Sequence, residues 1–537
     1  MKLMQLMLIS TTSLVFSACA DLKVLRYDDL VENHIKTIRN CASSMDGSCS
    51  PKLAAPQFEK AGGSHVEVTS SQNGPYLIET KDDTLRRTIG VFFDGTAANY
   101  TTQTNIRRLF ETIGGRGNPA NVLFYSEGVG GYFERTFGTS VSLASVTGWG
   151  ISRDLRQAYK FVAQNYRSGG EAGRPADDPD KLAIFGFSRG AFSARSLAGL
   201  IEFYGGIPDL TDCSVYKVVN ANGNKPVEQL YLRSGTPIHC EQSSKHYSRS
   251  EAQELVAALY RLYRDYGRAC GPADTDKPHS NHCMSLRQRV EAMKQSVRFR
   301  PVSIDFIGIW DTVRTLGSEV ECITSTDPED SEHTLHQTDL YPSVKYARHA
   351  LSADERRGCF ALRPYRVGAI PGSAALHTAQ VIDDRLKEVW FAGDHSDVGG
   401  GHADHKGLAG LSLNWMAAEM KQYAADLFAG GPVPNNFYTN VFDPIHDLSR
   451  GTIYRGSSYR QGLWSEMLPP TKNKIVIHAS LACRILATPQ SEWPKYRPRS
   501  GPKDYIFPRN IEELSEHFSI VPDGNFECPP QQQKSKR

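Results

Sequence analysis

The chain has 537 residues, and its 61 lysines and arginines nearly balance its 59 aspartates and glutamates, so the formal net charge is +2. This balance argues against a dedicated nucleic-acid-binding protein, which usually has a basic face and a high pI. Apolar residues make up 40% of the chain, which is too large a share for a disordered protein. At about 150 residues per domain, the length allows two to four domains or one large decorated domain.

The N-terminus has the features of a bacterial export signal. Lys2 is followed by a short, mostly apolar run and then by small residues that end at Cys19. Residues 16–19 resemble a lipobox, in which the cysteine carries lipid, and cleavage at the A-x-A pattern of residues 18–20 is the alternative. We therefore expect residues 1–19 to be a signal and Cys19 to be lipidated. The protein would then be anchored in the cell envelope, at the outer membrane facing the periplasm.

Cysteine usage agrees with export. The chain has 11 cysteines, so an even number remains if Cys19 carries lipid, and an even number in an exported chain favours disulfide bonds. Sequential pairing predicts Cys41–Cys49, Cys213–Cys240 and Cys270–Cys283. No Cys-x-x-Cys motif is present, which argues against a zinc ribbon or a thioredoxin-like site.

Apolar runs alternate with helical patterns from residue 86 onward. The predicted strands lie at 88–93, 122–125, 182–185, 303–310 and 388–392. The predicted helices lie at 105–113, 151–166, 191–204, 251–266 and 286–296. This alternation predicts βαβ units, and hence an α/β fold with a mostly parallel central sheet and helices on both faces.

Composition suggests the domain boundaries. Residues 20–85 are polar and contain several Ser and Gly clusters, which predicts a tether. We expect a catalytic domain at 86–430 with a large cap-like insertion at about 206–300. The remaining residues, 431–537, would form a C-terminal extension packed on the catalytic domain.

Residues 186–190 read Gly-Phe-Ser-Arg-Gly and match the G-x-S-x-G motif between a predicted strand and a predicted helix. Ser188 is therefore the predicted nucleophile, and Gly186 and Gly190 leave room for the tight turn that exposes it. The backbone N–H of Arg189 at the helix start would stabilise an oxyanion. A second donor is expected from Gly95 or Thr96, after an earlier strand. These residues also resemble an aspartyl phosphatase motif, but Phe92 stands where that motif needs Asp.

A serine nucleophile needs a histidine base and a carboxylate, which in this fold follow the serine in the order acid, then histidine. Asp311 follows the predicted strand that ends at Trp310, and His395 follows the strand at 388–392. We expect these two residues to complete the triad. His446 and His478 also follow apolar runs and remain rivals for the base.

Two other functions stay open. The cluster from Asp394 to His405 is dense in His and Asp and could bind a metal, as in a metal-dependent phosphodiesterase. The third hypothesis is a non-catalytic envelope protein that binds a partner or lipid on a hydrolase fold.

Five stretches in chain order carry a family resemblance. They are 91–96, 186–191 with Ala194 and Arg195, 306–313, 349–352 with 354–357, and 390–401. Together they resemble the Tle1-like phospholipase effectors of type VI secretion, formerly described as a domain of unknown function. The resemblance implies an α/β-hydrolase fold with a triad of Ser188, Asp311 and His395. It also implies carboxylic-ester hydrolysis, with glycerophospholipids as substrates and no cofactor.

One feature departs from that family. Its secreted effectors are loaded from the cytoplasm and lack a signal peptide, whereas this sequence has the features of one. The sequence therefore favours a resident envelope phospholipase or esterase at least as well as a toxin. The expected partners are a phospholipid or other acyl ester and a membrane reached through Cys19, with no nucleic acid. Nothing in the sequence identifies a secretion or immunity partner.

Overall fold

The computed structural model describes a defined part of the chain. The described residues are 66–70, 76–80, 86–95, 103–116, 118–128, 149–170, 175–210, 249–270, 281–313, 339–355, 357, 360, 362–365, 381–446, 475–487, 512, 514–515 and 518–521. The predicted signal, Cys19 and the predicted pairs Cys41–Cys49 and Cys213–Cys240 lie outside these residues.

The described strands form one large sheet and one small one. They are β1 Val66–Ser70, β2 Tyr76–Thr80, β3 Thr88–Phe93, β4 Asn121–Ser126, β5 Lys181–Phe187, β6 Ile207–Pro208, β7 Phe299–Arg300, β8 Ile304–Trp310, β9 Val344–Ser352, β10 Val381–Ile382, β11 Leu386–Phe391, β12 Ile475–His478 and β13 Phe518–Val521. The large sheet has the order β1-β2-β4-β3-β5-β8-β9-β11-β12-β13, with β10 beside β11, while β6 pairs with β7. The eight strands from β4 to β13 along this order run parallel.

Helices separate most of these strands. The described helices are α1 Asn105–Gly114, α2 Trp149–Asn165, α3 Arg189–Tyr204, α4 Arg249–Cys270, α5 Asn281–Ser296, α6 His395–Gly399, α7 Gly407–Tyr423 and α8 Ala479–Ala487. The order of strands and helices and the parallel sheet confirm the predicted α/β fold. Because successive strand residues point to opposite faces, a sheet buried on both faces needs apolar residues at nearly every strand position.

Strand β3 shows this two-sided burial directly. All six of its residues are buried. Val91 and Phe93 belong to a core cluster that also contains residues of α2 and α3. Phe92, on the opposite face, packs edge-on against Phe110 of α1, with ring centroids 5.6 Å apart. The sheet therefore lies between two helical layers.

The sheet extends further along the chain than the sequence predicted. Strands β1 and β2 lie within residues 20–85, which were predicted to be a tether, and β2 pairs antiparallel with β4. The two strands have a short alternating pattern and lie among polar residues, so the composition of the segment did not indicate them. Within the predicted C-terminal extension, β12 and β13 add parallel strands beyond β11. The described parts of both flanking segments are thus continuous with the central sheet.

The described part of the predicted insertion contains α4 and α5 as well as the small sheet of β6 and β7. The hydroxyl of Tyr204 at the end of α3 donates to the Leu259 carbonyl in α4, at 2.9 Å. Tyr260 lies 2.9 Å from the Ser152 hydroxyl of α2. These helices therefore cover α2 and the C-terminal end of α3. Ser188 lies at the opposite end of α3. A helix of 16 residues is about 24 Å long, so the two ends are far apart. Among the described residues, no helix is long and apolar enough to cross a lipid bilayer.

Within the described residues, Cys270 at the end of α4 forms a disulfide bond with Cys283 in α5, as sequential pairing predicted. We expect a Cys270→Ala/Cys283→Ala variant to have a free energy of unfolding about 3 kcal/mol lower, because the unfolded chain regains the entropy of the closed loop. Urea unfolding without reductant measures the difference. Reductant should narrow the difference between the parent and the variant, because it opens the Cys270–Cys283 bond in the parent. Equal stabilities without reductant would contradict this prediction.

Candidate active site

Ser188 lies at a tight turn between β5 and α3. Its backbone has φ 60° and ψ −125°, a conformation that costs a non-glycine residue about 1–3 kcal/mol. The turn is fixed on both sides. The Ser188 N–H donates to the Trp310 carbonyl of β8 at 3.0 Å, and the Ser188 carbonyl accepts from the Ala191 N–H at 3.1 Å. Ser188 itself is only 4% exposed.

Glycines beside the turn are required by close backbone packing. A Cβ at Gly190 would lie 2.2 Å from the Phe93 carbonyl oxygen, and one at Gly186 would lie 2.4 Å from the Gly190 carbonyl oxygen. Any side chain at either position would push α3 away from the ends of β3 and β5. This is the physical reason for the two glycines of the G-x-S-x-G motif.

Asp311 and His395 meet at the same edge of the sheet. Asp311 follows β8, with φ 45°, and its N–H donates to the Ala350 carbonyl of β9 at 2.8 Å. Its Oδ1 accepts the Ser352 N–H at 2.9 Å. Its Oδ2 lies 2.5 Å from His395 Nδ1. Because a carboxylate accepts, this contact places a proton on Nδ1 and leaves Nε2 as the basic nitrogen, the tautomer that a general base needs.

The imidazole of His395 is held between two aromatic rings. The Phe187 ring lies 4.6 Å away, and the Phe360 ring packs edge-on at 4.9 Å. The His395 N–H donates to Glu355 Oε2 at 3.3 Å. His395 Nε2 is buried, and it has no hydrogen-bond partner among the described residues. The Ser188–His395 hydrogen bond of a complete triad is therefore not formed in this structure, and such bonds often tighten only when substrate binds.

The predicted oxyanion region lies beside Ser188. A Cβ at Gly95 would lie 3.4 Å from Ser188 Cβ and 2.8 Å from the Phe187 ring, so the end of β3 packs closely against the turn. The Gly95 N–H, however, donates to Asp94 Oδ1 at 2.7 Å, and this bond occupies it. Thr96 lies outside the described residues. Arg189 is the first residue of α3, so its N–H lies at the positive end of the helix dipole.

A second buried pair supports the Asp311 side of the site. His349 Nε2 accepts the Thr312 N–H at 3.1 Å, and Nδ1 lies 2.8 Å from Glu388 Oε1. Since an amide N–H can only donate, the proton of the neutral ring is on Nδ1, facing Glu388. Burial lowers the pKa of His349, although the adjacent Glu388 opposes this shift. This neutral histidine fixes the backbone directly after Asp311.

The rival histidines have other partners. His446 Nδ1 lies 2.6 Å from Asp397 Oδ1, and His478 Nδ1 lies 2.7 Å from the Ser480 hydroxyl. Burial lowers the pKa of His478 to about 3, which makes it a poor base near neutral pH. Of the three candidate bases, His395 is the one that contacts Asp311.

The acidic and histidine residues predicted as alternative metal ligands form a separate set beside α6. His402 Nε2 lies 3.1 Å from Asp394 Oδ1 and 3.9 Å from Asp397 Oδ1. Burial and the neighbouring Asp394 raise the pKa of Asp397. Partial burial alone would lower the pKa of His446, but its hydrogen bond with Asp397 raises it.

Comparison with known proteins identifies the family. Residues 87–419 match the family described as "T6SS, Phospholipase effector Tle1-like, catalytic domain". The chain belongs to this family. The match confirms the resemblance seen in the sequence and spans the strands that carry Ser188, Asp311 and His395.

Individual relatives of this Tle1-like chain are distant. The uncharacterized protein YEL023C of Saccharomyces cerevisiae is 25% identical over 411 residues, which are 63% of this chain and 57% of that protein. The chain thus spans less than two thirds of this curated relative. A solved structure of an uncharacterized protein from Pseudomonas aeruginosa is 16% identical, with a TM-score of 0.31, over 66% of this chain and 49% of that one. A Tle1 effector bound to the VgrG spike of the type VI secretion system is 17% identical, with a TM-score of 0.28, over 63% and 57%.

Several residues that shape the site had no role assigned from the sequence of this Tle1-like chain. Ser352 donates its N–H to Asp311, and its hydroxyl donates to the Gly393 carbonyl at 2.8 Å. Asp354 Oδ2 accepts the Gly393 N–H at 2.7 Å. Ser352 ends β9, and Asp354 follows it. In the sheet, β9 lies between β8, which precedes Asp311, and β11, which precedes His395. Their position at the end of a strand could have indicated a role from the sequence. Only the strand order, however, shows that they link the residues around Asp311 to those before His395.

The ionisation of Asp94 in this Tle1-like site can be measured through its effect on stability. Its Oδ2 accepts the hydroxyls of Thr104 at 2.7 Å and Tyr125 at 2.6 Å. Burial raises the pKa of Asp94 from 3.8 to about 6, although these hydrogen bonds oppose the rise. A raised pKa means that the folded state binds the proton more tightly. This contribution to stability is complete below pH 3.8 and is lost as the pH rises to 6.

We therefore expect the parent to lose about 3 kcal/mol of unfolding free energy relative to Asp94→Asn between pH 3.5 and pH 7, at about 1.4 kcal/mol per pKa unit. Urea unfolding of both proteins across this range measures the difference. Asparagine keeps the shape and an acceptor oxygen but does not titrate, so titrations elsewhere cancel in the comparison. Parallel stability profiles for the two proteins would show that Asp94 has an ordinary pKa.

Proposed function

We propose that this protein is a serine hydrolase that cleaves carboxylic esters, with the acyl esters of phospholipids as substrates. The observation that supports this most strongly is the Asp311–His395 hydrogen bond, which leaves a buried Nε2 with no partner among the described residues, beside the turn that carries Ser188. Membership of the Tle1-like phospholipase effector family supports the substrate class.

In the proposed reaction, Ser188 Oγ attacks the acyl carbonyl carbon while its proton passes to His395 Nε2. Asp311 holds the imidazole by Nδ1 and stabilises the imidazolium that forms. His395 then delivers the proton to the leaving alkoxide oxygen, and the alcohol departs. Water attacks the acyl-enzyme by the same route, which releases the fatty acid and restores Ser188.

The tetrahedral intermediate needs donors for its oxyanion. The proposed donors are the N–H of Arg189, at the start of α3, and an N–H after β3. Because Asp94 already accepts the Gly95 N–H, Thr96 is the proposed residue of the predicted pair. The N-terminal end of α3 also favours the negative charge that develops there.

The nucleophile is tested by labelling with a fluorophosphonate probe, which reacts with activated serines. We expect the parent to be labelled and Ser188→Ala not to be labelled, with kcat for ester hydrolysis reduced by about 10⁴–10⁶. Asp311→Asn should lower kcat by about 10⁴, because it allows the wrong histidine tautomer. Ester hydrolysis by Ser188→Ala at the parent's rate would exclude the proposed mechanism.

A matched pair of histidine variants tests the base. His395→Asn should abolish labelling, whereas His405→Asn should be labelled like the parent, because His405 is exposed and contacts Asp404. Circular dichroism spectra of both variants check folding. Unchanged labelling of a folded His395→Asn would remove His395 from the mechanism.

The substrate class is tested with phospholipid vesicles and mass spectrometry of the products. We expect fatty acid and lysophospholipid to appear with the parent and to be absent with Ser188→Ala. Cleavage at the phosphate ester would instead release diacylglycerol or phosphatidic acid, and these products would favour the alternative phosphodiesterase. Turnover of short soluble esters without any phospholipid product would keep the serine mechanism and exclude phospholipids as the substrate.

A further inference from the structure

Four side chains that the proposed mechanism does not use meet beside α6. They are Asp394, Asp397, His402 and His446, here called the Asp394 cluster. One ligand atom from each of Asp397, His402 and His446 can be chosen so that all three lie within 4.8 Å of one another. Asp394 Oδ1 lies 3.1 Å from His402 Nε2 and so adjoins the same group. Ligand atoms at about 2.0–2.2 Å from a tetrahedral ion are about 3.3–3.6 Å apart. His402 Nε2 lies 3.1 Å from Asp394 Oδ1 and 3.9 Å from Asp397 Oδ1, on either side of this spacing.

Asp394 provides an independent observation. Its Oδ1 accepts the N–H groups of Ser396 and Asp397, at 2.9 and 2.8 Å, as well as facing His402. Its Oδ2 is buried, and it has no hydrogen-bond partner among the described residues. Asp394 as a whole is 2% exposed. A buried carboxylate oxygen without a partner is costly unless it binds a cation.

The charges in the Asp394 cluster also favour a bound cation. Asp394 and Asp397 are both buried, three residues apart in the chain, and like charges this close disfavour one another. The two histidines complete the cluster from its more exposed side, with 17% of the His402 side chain and 19% of the His446 side chain accessible. An ion would therefore have a path from solvent and an anionic inner wall.

We infer that the Asp394 cluster is a binding site for a divalent first-row transition metal such as Zn²⁺. Two imidazole nitrogens with two carboxylates favour zinc over calcium and magnesium, which prefer oxygen ligands alone. Four protein ligands would close the coordination shell, as in structural zinc sites. The inference is separate from the proposed function, because ester hydrolysis by Ser188 needs no step at this ion.

The position of the site gives the ion a role in the fold. Asp394 and Asp397 flank His395 at the first turn of α6, and Asp397 Oδ2 accepts the His446 N–H at 3.0 Å. A bound ion would tie this turn to residues 441–446. Binding would also require one ring to rotate, because the His402 and His446 rings are stacked, with centroids 3.6 Å apart and an angle of 17° between their planes. An imidazole lone pair lies in its ring plane, so one ion cannot meet both rings as they stand.

The test is zinc binding to the purified, chelator-treated full-length protein by isothermal titration calorimetry. We expect one Zn²⁺ per chain for the parent and for His405→Asn. We expect binding more than about tenfold weaker for His402→Asn and for His446→Asn. His405 is the matched control because it lies on the same loop but outside the cluster. Cobalt(II) should give the visible absorption of a four-coordinate ion with the parent and His405→Asn only.

Thermal unfolding is the second readout. Zinc should raise the unfolding midpoint of the parent and of His405→Asn, but not of the two cluster variants, since a ligand stabilises only the state that binds it. Equal zinc affinity in all four proteins, or no saturable binding by the parent, would overturn the inference. So would binding of Mg²⁺ or Ca²⁺ as tight as that of Zn²⁺. Fluorophosphonate labelling after chelation tests Ser188 separately, so the two proposals can fail independently.

Discussion

The rest of the site depends on the strained backbone of Ser188. Its φ of 60° turns the chain from β5 into α3 within one residue, so the side chain stands at the sheet edge. The conformation persists because its neighbours leave no alternative. The Ser188 N–H is bonded to β8, and the carbonyls of Phe93 and Asp94 occupy the space where a Gly190 side chain would be. The strain of about 1–3 kcal/mol is offset by the packing of the whole parallel sheet.

Parallel topology then decides which loops can cooperate. Ser188 follows β5, Asp311 follows the neighbouring β8, and His395 follows β11, which lies beyond β9. The end of β9 fills that gap, because Ser352 bonds both to Asp311 and to the Gly393 carbonyl before His395. The acid and the base are thus positioned by backbone bonds rather than by long flexible side chains. Such positioning limits the reorganisation that a reacting site needs.

The sequence predicted what local patterns determine. The central strands, the helices after them and the disulfide between Cys270 and Cys283 follow from hydrophobic periodicity and spacing. The pairing of Asp311 with His395 was predicted because both follow strands in a known order. Contacts between loops distant in sequence were not predictable from periodicity. The sequence also did not show that the Gly95 N–H, a predicted oxyanion donor, bonds to the carboxylate of the adjacent Asp94. Strands β1 and β2 were missed because their pairing partners, not their composition, define them.

The short helix α6 joins two chemically different sets of residues. His395, its first residue, faces Asp311, while Asp394 before it and Asp397 after it face the two other histidines. In a helix of five residues, few intrahelical hydrogen bonds can form, so the capping carboxylates and their partners fix its orientation. Any change at Asp394 or Asp397 must therefore be felt at the imidazole of His395. The acidic pair near the base is therefore part of the framework that orients this ring.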